Sequence, residues 1–290
     1  MTGLLIPISF LKFSKASVSR LFFYRSKSTI DQQEETHFGF TNVKINEKSK
    51  KVYKVFADVA NSYDLMNDVM SAGIHRMWKD IFIEKLSPTP GTNLLDMAGG
   101  TGDISFRYIN YLKSIYQKED KIKSKVTVAD INENMLLVGK QRAKDLNLEN
   151  LNFCDLSWAV ANAEYLQFHD NTFTAYTIAF GIRNVTDIEK VLFEAYRVLR
   201  PGGRFLCLEF SHLENKTLQW LYDQYSFQII PPMGQILAGN WEPYQYLVES
   251  IRKFPNQNEF KNMIEQAGFK FVTYDNLSFG ICAIHSGFKL

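Results

Sequence analysis

The chain has 290 residues, 46% of them hydrophobic and 14% aromatic, with a formal net charge of +2. That is enough apolar material for one large core. The near-neutral balance offers no basic face for nucleic acid, which is therefore not expected as a partner. No apolar run approaches the roughly 20 residues that cross a bilayer, so no transmembrane helix is expected. Cys154, Cys207 and Cys282 lie far apart and form no CxxC pair, which points to free, buried thiols in a reducing compartment.

The first thirty residues contain Lys12, Lys15, Arg20, Arg25 and Lys27, are rich in Ser, and hold no acidic residue before Asp31. With Leu4, Ile8, Leu11 and Val18 able to share one helix face, residues 1–30 have the composition of a transit peptide, mitochondrial rather than chloroplast. Residues 31–50 are polar and read as a linker to a domain at 51–290. From Tyr53 to Leu86 the apolar spacing is helical, until Pro88, Pro90 and Gly91 break it.

Strands and helices then alternate. Strands are predicted at Asn93–Met97, Val126–Ala129, Leu151–Cys154, Ala175–Phe180 and Arg204–Phe210. Helices are predicted at Ser105–Tyr116, Asn132–Leu146 and Ile188–Leu199, the last stopped by Pro201-Gly202-Gly203. Such alternation predicts an α/β fold, a doubly wound and mostly parallel sheet with helices on both faces. Phe271–Tyr274 and Gly280–Gly287 read as an antiparallel pair at its edge, completing seven strands. Residues 212–250 interrupt the pattern with Trp220, Tyr222, Tyr225, Trp241, Tyr244 and Tyr246. They read as a helical insertion over the carboxyl ends of the strands, where open α/β sheets bind ligands.

The run Asp96-Met97-Ala98-Gly99-Gly100-Thr101-Gly102-Asp103 falls at the first strand-to-helix turn. Glycines there allow a tight turn and close approach of a ligand, but dinucleotide folds use such a turn too. The spacing Gly100-x-Gly102-x-x-Ser105 lacks the third glycine of the dinucleotide pattern, and Asp96 and Asp103 would repel a pyrophosphate. S-adenosylmethionine carries an ammonium and a sulfonium and no phosphate, so it suits Asp96, Gly100 and Gly102 better. Asp130, ending the second strand, can accept both ribose hydroxyls, a role that fits either cofactor class.

Two longer motifs flank this loop. Tyr63-Asp64-x-Met66-Asn67-x-x-Met70-Ser71-x-x-x-His75-x-x-Trp78 and the run from Arg197 through Pro201-Gly202-Gly203 to Ser211 resemble the two signatures of the UbiE-type quinone C-methyltransferases. Phe180-Gly181-Ile182-Arg183-Asn184-Val185-Thr186 matches between them, and the resemblance covers roughly residues 50–290. Arg200 replaces a usual Lys; Ala179 replaces a Ser often proposed as a cofactor contact, so that contact is not carried over.

The resemblance implies a class I S-adenosylmethionine-dependent fold, with cofactor contacts at Thr101, Asp130, Asn162 and Ala163. Tyr222–Phe227, Tyr244–Arg252 and the closing His285–Leu290 resemble the mitochondrial branch. That branch methylates a polyprenyl benzoquinol in ubiquinone biosynthesis, peripherally on the matrix side of the inner membrane and alongside other proteins of the pathway.

For such a reaction a ring hydroxyl must lose a proton and water must be kept out. Arg183 is expected to stabilise the phenolate, Asn184 to orient a hydroxyl or water, and His75 to be the titratable base. Tyr63 and Asp64 could close over the cofactor. The alternatives are a demethylmenaquinol methylase, a cofactor-binding scaffold subunit, and, more distantly, a nicotinamide dehydrogenase.

Overall fold

The computed structural model describes residues 35–59, 67–68, 71, 73–117, 122–239 and 241–290. The transit-peptide segment 1–30 and the Tyr63-Asp64 closure lie outside the described residues.

The central strands are β3 (Asn93–Met97), β4 (Ser124–Asp130), β5 (Cys154–Val160), β6 (Phe173–Ala179), β7 (Leu199–Phe210), β8 (Lys270–Leu277) and β9 (Cys282–Phe288). They form one seven-stranded sheet in the order β5-β4-β3-β6-β7-β9-β8. Leu94 to Met97 on β3 are all buried, as a strand covered on both faces must be. Strands β5 to β7 pair in parallel, whereas β9 runs antiparallel to both β7 and β8. The antiparallel strand at that edge is thus β9, inserted one position in, with β8 outermost.

Helices α3 (Asp103–Ile115), α4 (Glu133–Asp145) and α5 (Ile188–Val198) follow β3, β4 and β6. Two clusters of buried side chains cover the sheet. One is built around Tyr176, Phe205, Phe260 and Phe269, the other around Phe82, Tyr108, Ile109 and Leu94. The strand order reverses between β3 and β6, which opens a crevice at their carboxyl ends.

Three sequence expectations change. The supposed linker 31–50 holds, from Glu35 on, a hairpin of β1 (Glu35–Phe38) and β2 (Thr41–Lys44) and the start of α1 (Ile45–Val59). Its polar composition hid a small core in which Val52 and Val55 pack with Phe38 against Tyr246. The third strand runs Cys154–Val160, not Leu151–Cys154. As an edge strand paired only with β4, it keeps exposed polar positions that blur its period. The single helical stretch expected over 53–86 resolves into α1 and α2 (Ile74–Leu86), with Gly73 at φ 77° before α2.

Within 212–250 lie the expected helices, α6 (Lys216–Gln228), α7 (Ile230–Ala238) and α8 (Glu242–Lys253), and α9 (Gln257–Gln266) follows. Asn215 caps α6 by accepting from the Thr217 and Leu218 amides. All three cysteines are free and buried.

Candidate active site

The glycine turn lies between β3 and α3. Ala98 (φ 53°) and Phe180 (φ 55°) adopt left-handed backbone at the carboxyl ends of the adjacent strands β3 and β6. Non-glycine residues seldom do so, and such strain collects at functional sites. A Cβ on Gly181 would stand 2.5 Å from the Ala98 Cβ, so the two turns touch. Gly102, at φ 86°, precedes α3 and lies off the cavity wall; a Cβ there would meet Phe106 at 2.8 Å. It shapes the turn.

A cleft of about 160 Å³ is lined by Asp96, Gly100, Thr101, Asp130, Asn162 and Ala163, six of the seven expected cofactor residues. Asp130 accepts from the Gly100 amide at 3.0 Å and the Asn132 amide at 2.8 Å, one on each carboxylate oxygen. Each oxygen keeps a further acceptor position, which suits a ribose diol. Burial pushes the Asp130 carboxyl up to about 6 against the pull of these amides. Asn162 stands just past β5, its side-chain oxygen accepting from the Glu164 amide.

The acidic pair flanking the turn behaves otherwise than expected. Asp96 is fully buried and accepts from Ser105 Oγ (2.7 Å) and Thr177 Oγ1 (3.0 Å). Burial raises its carboxyl to about 6. Asp103 is ion-paired with Lys79 at 2.6 Å and with Arg107 at 3.1 Å, and these cations hold its carboxyl low against burial. Its charge is therefore answered within the protein. The acceptor left to a nucleoside is Asp130.

A second, apolar chamber of about 360 Å³ adjoins the cleft and shares the walls Phe56, Lys79 and Phe180 with it. Trp78 stands edge-on to Phe210 (6.1 Å) and tilted to Phe180 (6.4 Å), making a flat-walled cage. The insertion closes it with Tyr222 and Tyr225 from α6, Ile230 from α7 and Tyr244 from α8.

The three expected catalytic residues fall around this junction. His75 lines the chamber; its Nε2 is 2.8 Å from Asp68 Oδ1, and its Nδ1 is buried with no hydrogen-bond partner among the described residues. Burial, and then the charge of Lys79, lowers the His75 pKa, while Asp68 opposes the shift. Asp68 is also tied to Arg76, which with His75 holds its carboxyl far below the usual range. Arg183 also lines the chamber, but its Nη1 donates to Glu209 Oε1 and the Phe180 carbonyl, both at 2.7 Å. Its guanidinium lies over the Phe210 ring at 5.4 Å. Asn184 lines the cofactor cleft, and its oxygen accepts from Tyr246 of α8 at 2.9 Å.

Residues 44–289 match the ubiE/COQ5 methyltransferase family. The chain belongs to that family. A Drosophila melanogaster protein named 2-methoxy-6-polyprenyl-1,4-benzoquinol methylase, mitochondrial, is 63% identical over 267 residues, 91% of this chain and 88% of that one. A human protein of the same name is 54% identical, covering 88% of this chain and 85% of its own.

Among solved structures, a SAM-dependent methyltransferase from Thermotoga maritima superposes with a TM-score of 0.52 at 18% identity, covering 82% of this chain and 100% of that one. A Haemonchus contortus phosphoethanolamine N-methyltransferase 2 in complex with S-adenosyl-L-methionine gives 0.50 at 15%, covering 73% and 52%. These likenesses fix the fold as that of the SAM-dependent methyltransferases, and the family makes this chain one of them.

Sequence reasoning missed Lys79, Asp68, Glu209 and Tyr246. His75 and Lys79 are four apart on α2, which puts both on one face, and that spacing was the available signal. Nothing in the sequence pointed to the pairs Asp68–His75, Arg183–Glu209 or Tyr246–Asn184.

Proposed function

We propose that this chain transfers a methyl group from S-adenosylmethionine to a ring carbon of 2-methoxy-6-polyprenyl-1,4-benzoquinol in mitochondrial ubiquinone biosynthesis. The observation that carries the reading is the junction of a nucleoside-type cleft with an apolar aromatic chamber at Phe56, Lys79 and Phe180. It stands in a chain 63% identical to a relative of that name.

S-adenosylmethionine supplies an electrophilic methyl group. Asp130 accepts the ribose hydroxyls, Asn162 and Ala163 border the base, and Gly100 and Thr101 carry the backbone close to the cofactor. Trp78, Phe180 and Phe210, packed on one another with ring centroids 4.9 to 6.4 Å apart, form an aromatic wall against which the quinol ring lies. The lid tyrosines and Ile230 exclude water and shelter the start of the prenyl tail.

Asp68 accepts the His75 Nε2 proton, which leaves Nδ1 as an unprotonated acceptor. His75 Nδ1 takes the proton of a ring hydroxyl and raises the nucleophilicity of the ring; after transfer it returns that proton to the ring oxygen and takes the one the methylated carbon must lose, so that S-adenosylhomocysteine and one proton leave per turnover. Asp68 then faces the imidazolium. The cations Lys79 and Arg183 at the chamber wall favour the quinolate, each held in place by its carboxylate partner, Asp103 or Glu209. Asn184 and Tyr246 tie the cofactor cleft to the lid.

Trp220 (60% exposed), Ile236 (81%) and Trp241 (44%) sit on or beside the helices that roof the chamber. They support peripheral docking on the inner membrane, from which a lipid-soluble quinol would enter; no described helix is long and apolar enough to cross a membrane.

The test is methyl transfer from labelled donor to a short-tailed methoxy-benzoquinol and to a demethyl-naphthoquinol, read by product mass. The reading predicts ring methylation of the benzoquinol. Turnover of the naphthoquinol alone would overturn it.

A further inference from the structure

The turn that joins β8 to β9 carries a polar group that the proposed reaction does not use. Ser278 (φ 47°) and Phe279 (φ 61°) both adopt left-handed backbone, followed by Gly280 at φ 99°. Two successive non-glycine residues in that region are costly and persist only where their surroundings hold them. Here the surroundings do. The Ile281 amide donates to the Ser278 carbonyl at 3.2 Å, and the Ser211 amide donates to the Ile281 carbonyl at 2.9 Å. A Cβ on Gly280 would stand 3.0 Å from the His212 carbonyl, so the turn is pressed against the chain leaving β7.

This strained turn presents Ser278, half-buried, on the wall of the aromatic chamber. Trp78 Nε1 donates to Ser278 Oγ at 2.9 Å. A hydroxyl that accepts in this way still has its own proton to give, and no acceptor for that proton stands among the described residues. Other donors on the wall are engaged within the protein: Ser71 with the Asn67 carbonyl, Lys79 with Asp103, Arg183 with Glu209 and Tyr246 with Asn184.

Ser278 lines the chamber and not the cofactor cleft, whereas Lys79 and Phe180 line both. A ring lying against Trp78 with its reacting carbon at that junction turns its far edge to Ser278. In the reaction proposed above the methyl group goes to carbon 5 of the quinol, para to the methoxy-bearing carbon 2. The far edge then carries the methoxy oxygen. Resting on that reading, we propose that Ser278 recognises the methoxy edge of the quinol, its hydroxyl donating to the methoxy oxygen while Trp78 holds it in place. The contact is lost for a ring with no oxygen at that position, so Ser278 contributes to the choice of a methoxy-benzoquinol.

Calorimetry of the full chain with S-adenosylhomocysteine bound tests this without turnover. The two ligands are a short-tailed 2-methoxy-benzoquinol and the same quinol with hydrogen in place of methoxy, both kept reduced. The wild type should bind the methoxy compound about 3- to 10-fold more tightly, the worth of one neutral hydrogen bond. Ser278→Ala should lose that preference, weakening the methoxy compound by the same factor and leaving the other unchanged. Ser278→Gly, which suits the left-handed backbone better than alanine, should behave alike. Equal weakening of both quinols would reduce Ser278 to a support for Trp78 and overturn the proposal. So would an unchanged methoxy isotherm, or failure of both variants to fold. These outcomes leave the methyl-transfer reading standing, whereas binding of neither quinol by the wild type would overturn that reading and this inference with it.

Discussion

Asp130 shows how much one residue can do by its surroundings. Two backbone amides hold it, and burial raises its carboxyl to about 6 from an ordinary 3.8. Ribose hydroxyls need the ionised form, so S-adenosylmethionine binding should weaken as pH falls through about 6. At that pH, binding should release protons, visible in calorimetry as an enthalpy that depends on the buffer. The folded chain holds more protons than the unfolded one between 3.8 and about 6 at Asp96 and Asp130, so these two groups add stability as pH falls across that window. Asp130→Asn should raise the Kd for S-adenosylmethionine by about 10- to 100-fold, the worth of one charged hydrogen bond. His75→Gln should leave that Kd alone and lower kcat by about 10²- to 10⁴-fold. In the wild type the acidic limb of the kcat profile should fall below His75's ordinary 6.5, since burial lowers its pKa. Legibility at this scale was uneven. Asp130 announced itself by ending a strand beside a glycine turn. Asp103 misled, because only one of its two cations, Arg107, lies near it in sequence, and the closer contact, Lys79, lies 24 residues earlier on another helix.

Elements bring such distant partners together. Strand β7 carries Glu209 and the 180–184 turn carries Arg183, and the buried pair they form anchors Phe180 and Phe210 in the chamber wall. Removing one partner leaves a charge buried alone, so Glu209→Ala should destabilise the fold by about 3–5 kcal/mol in denaturant titration. A stability unchanged within error would mean the pair is not the anchor. The alternation of β3, β4, β6 and β7 with their helices was legible because the carboxyl-terminal halves of these strands are mostly buried and therefore mostly apolar. Strand β5 was misplaced and the β1–β2 hairpin missed for one physical reason. Both sit at edges, where polar residues meet solvent and the apolar period fades. What seats the hairpin is a tertiary contact, Phe38 stacked on Tyr246 at 4.2 Å, between residues some two hundred positions apart.

At the scale of the whole molecule, two features of the sequence carried the reading: the order of motifs along the chain and an aromatic insertion after β7. The structure turns that insertion into a roof with two faces. Tyr222, Ile230 and Tyr244 point their bulk at the chamber, and Trp220, Ile236 and Trp241 are left to solvent. A Trp220→Glu, Trp241→Glu double variant should bind vesicles of inner-membrane lipid composition less than the wild type in co-sedimentation. It should keep its turnover of a water-soluble, short-tailed quinol. Loss of both together would place these tryptophans in the fold of the roof instead.

The central claim is that donor and acceptor occupy adjoining cavities joined at Phe56, Lys79 and Phe180. A crystal structure of the full chain with S-adenosylhomocysteine and a short-tailed methoxy-benzoquinol tests it most directly. The account predicts the adenosine on Asp130 and Asn162-Ala163, and the quinol ring against the wall of Trp78, Phe180 and Phe210 with a hydroxyl on His75 Nδ1. A quinol found outside that aromatic cage, or an adenosine not in contact with Asp130, would contradict it.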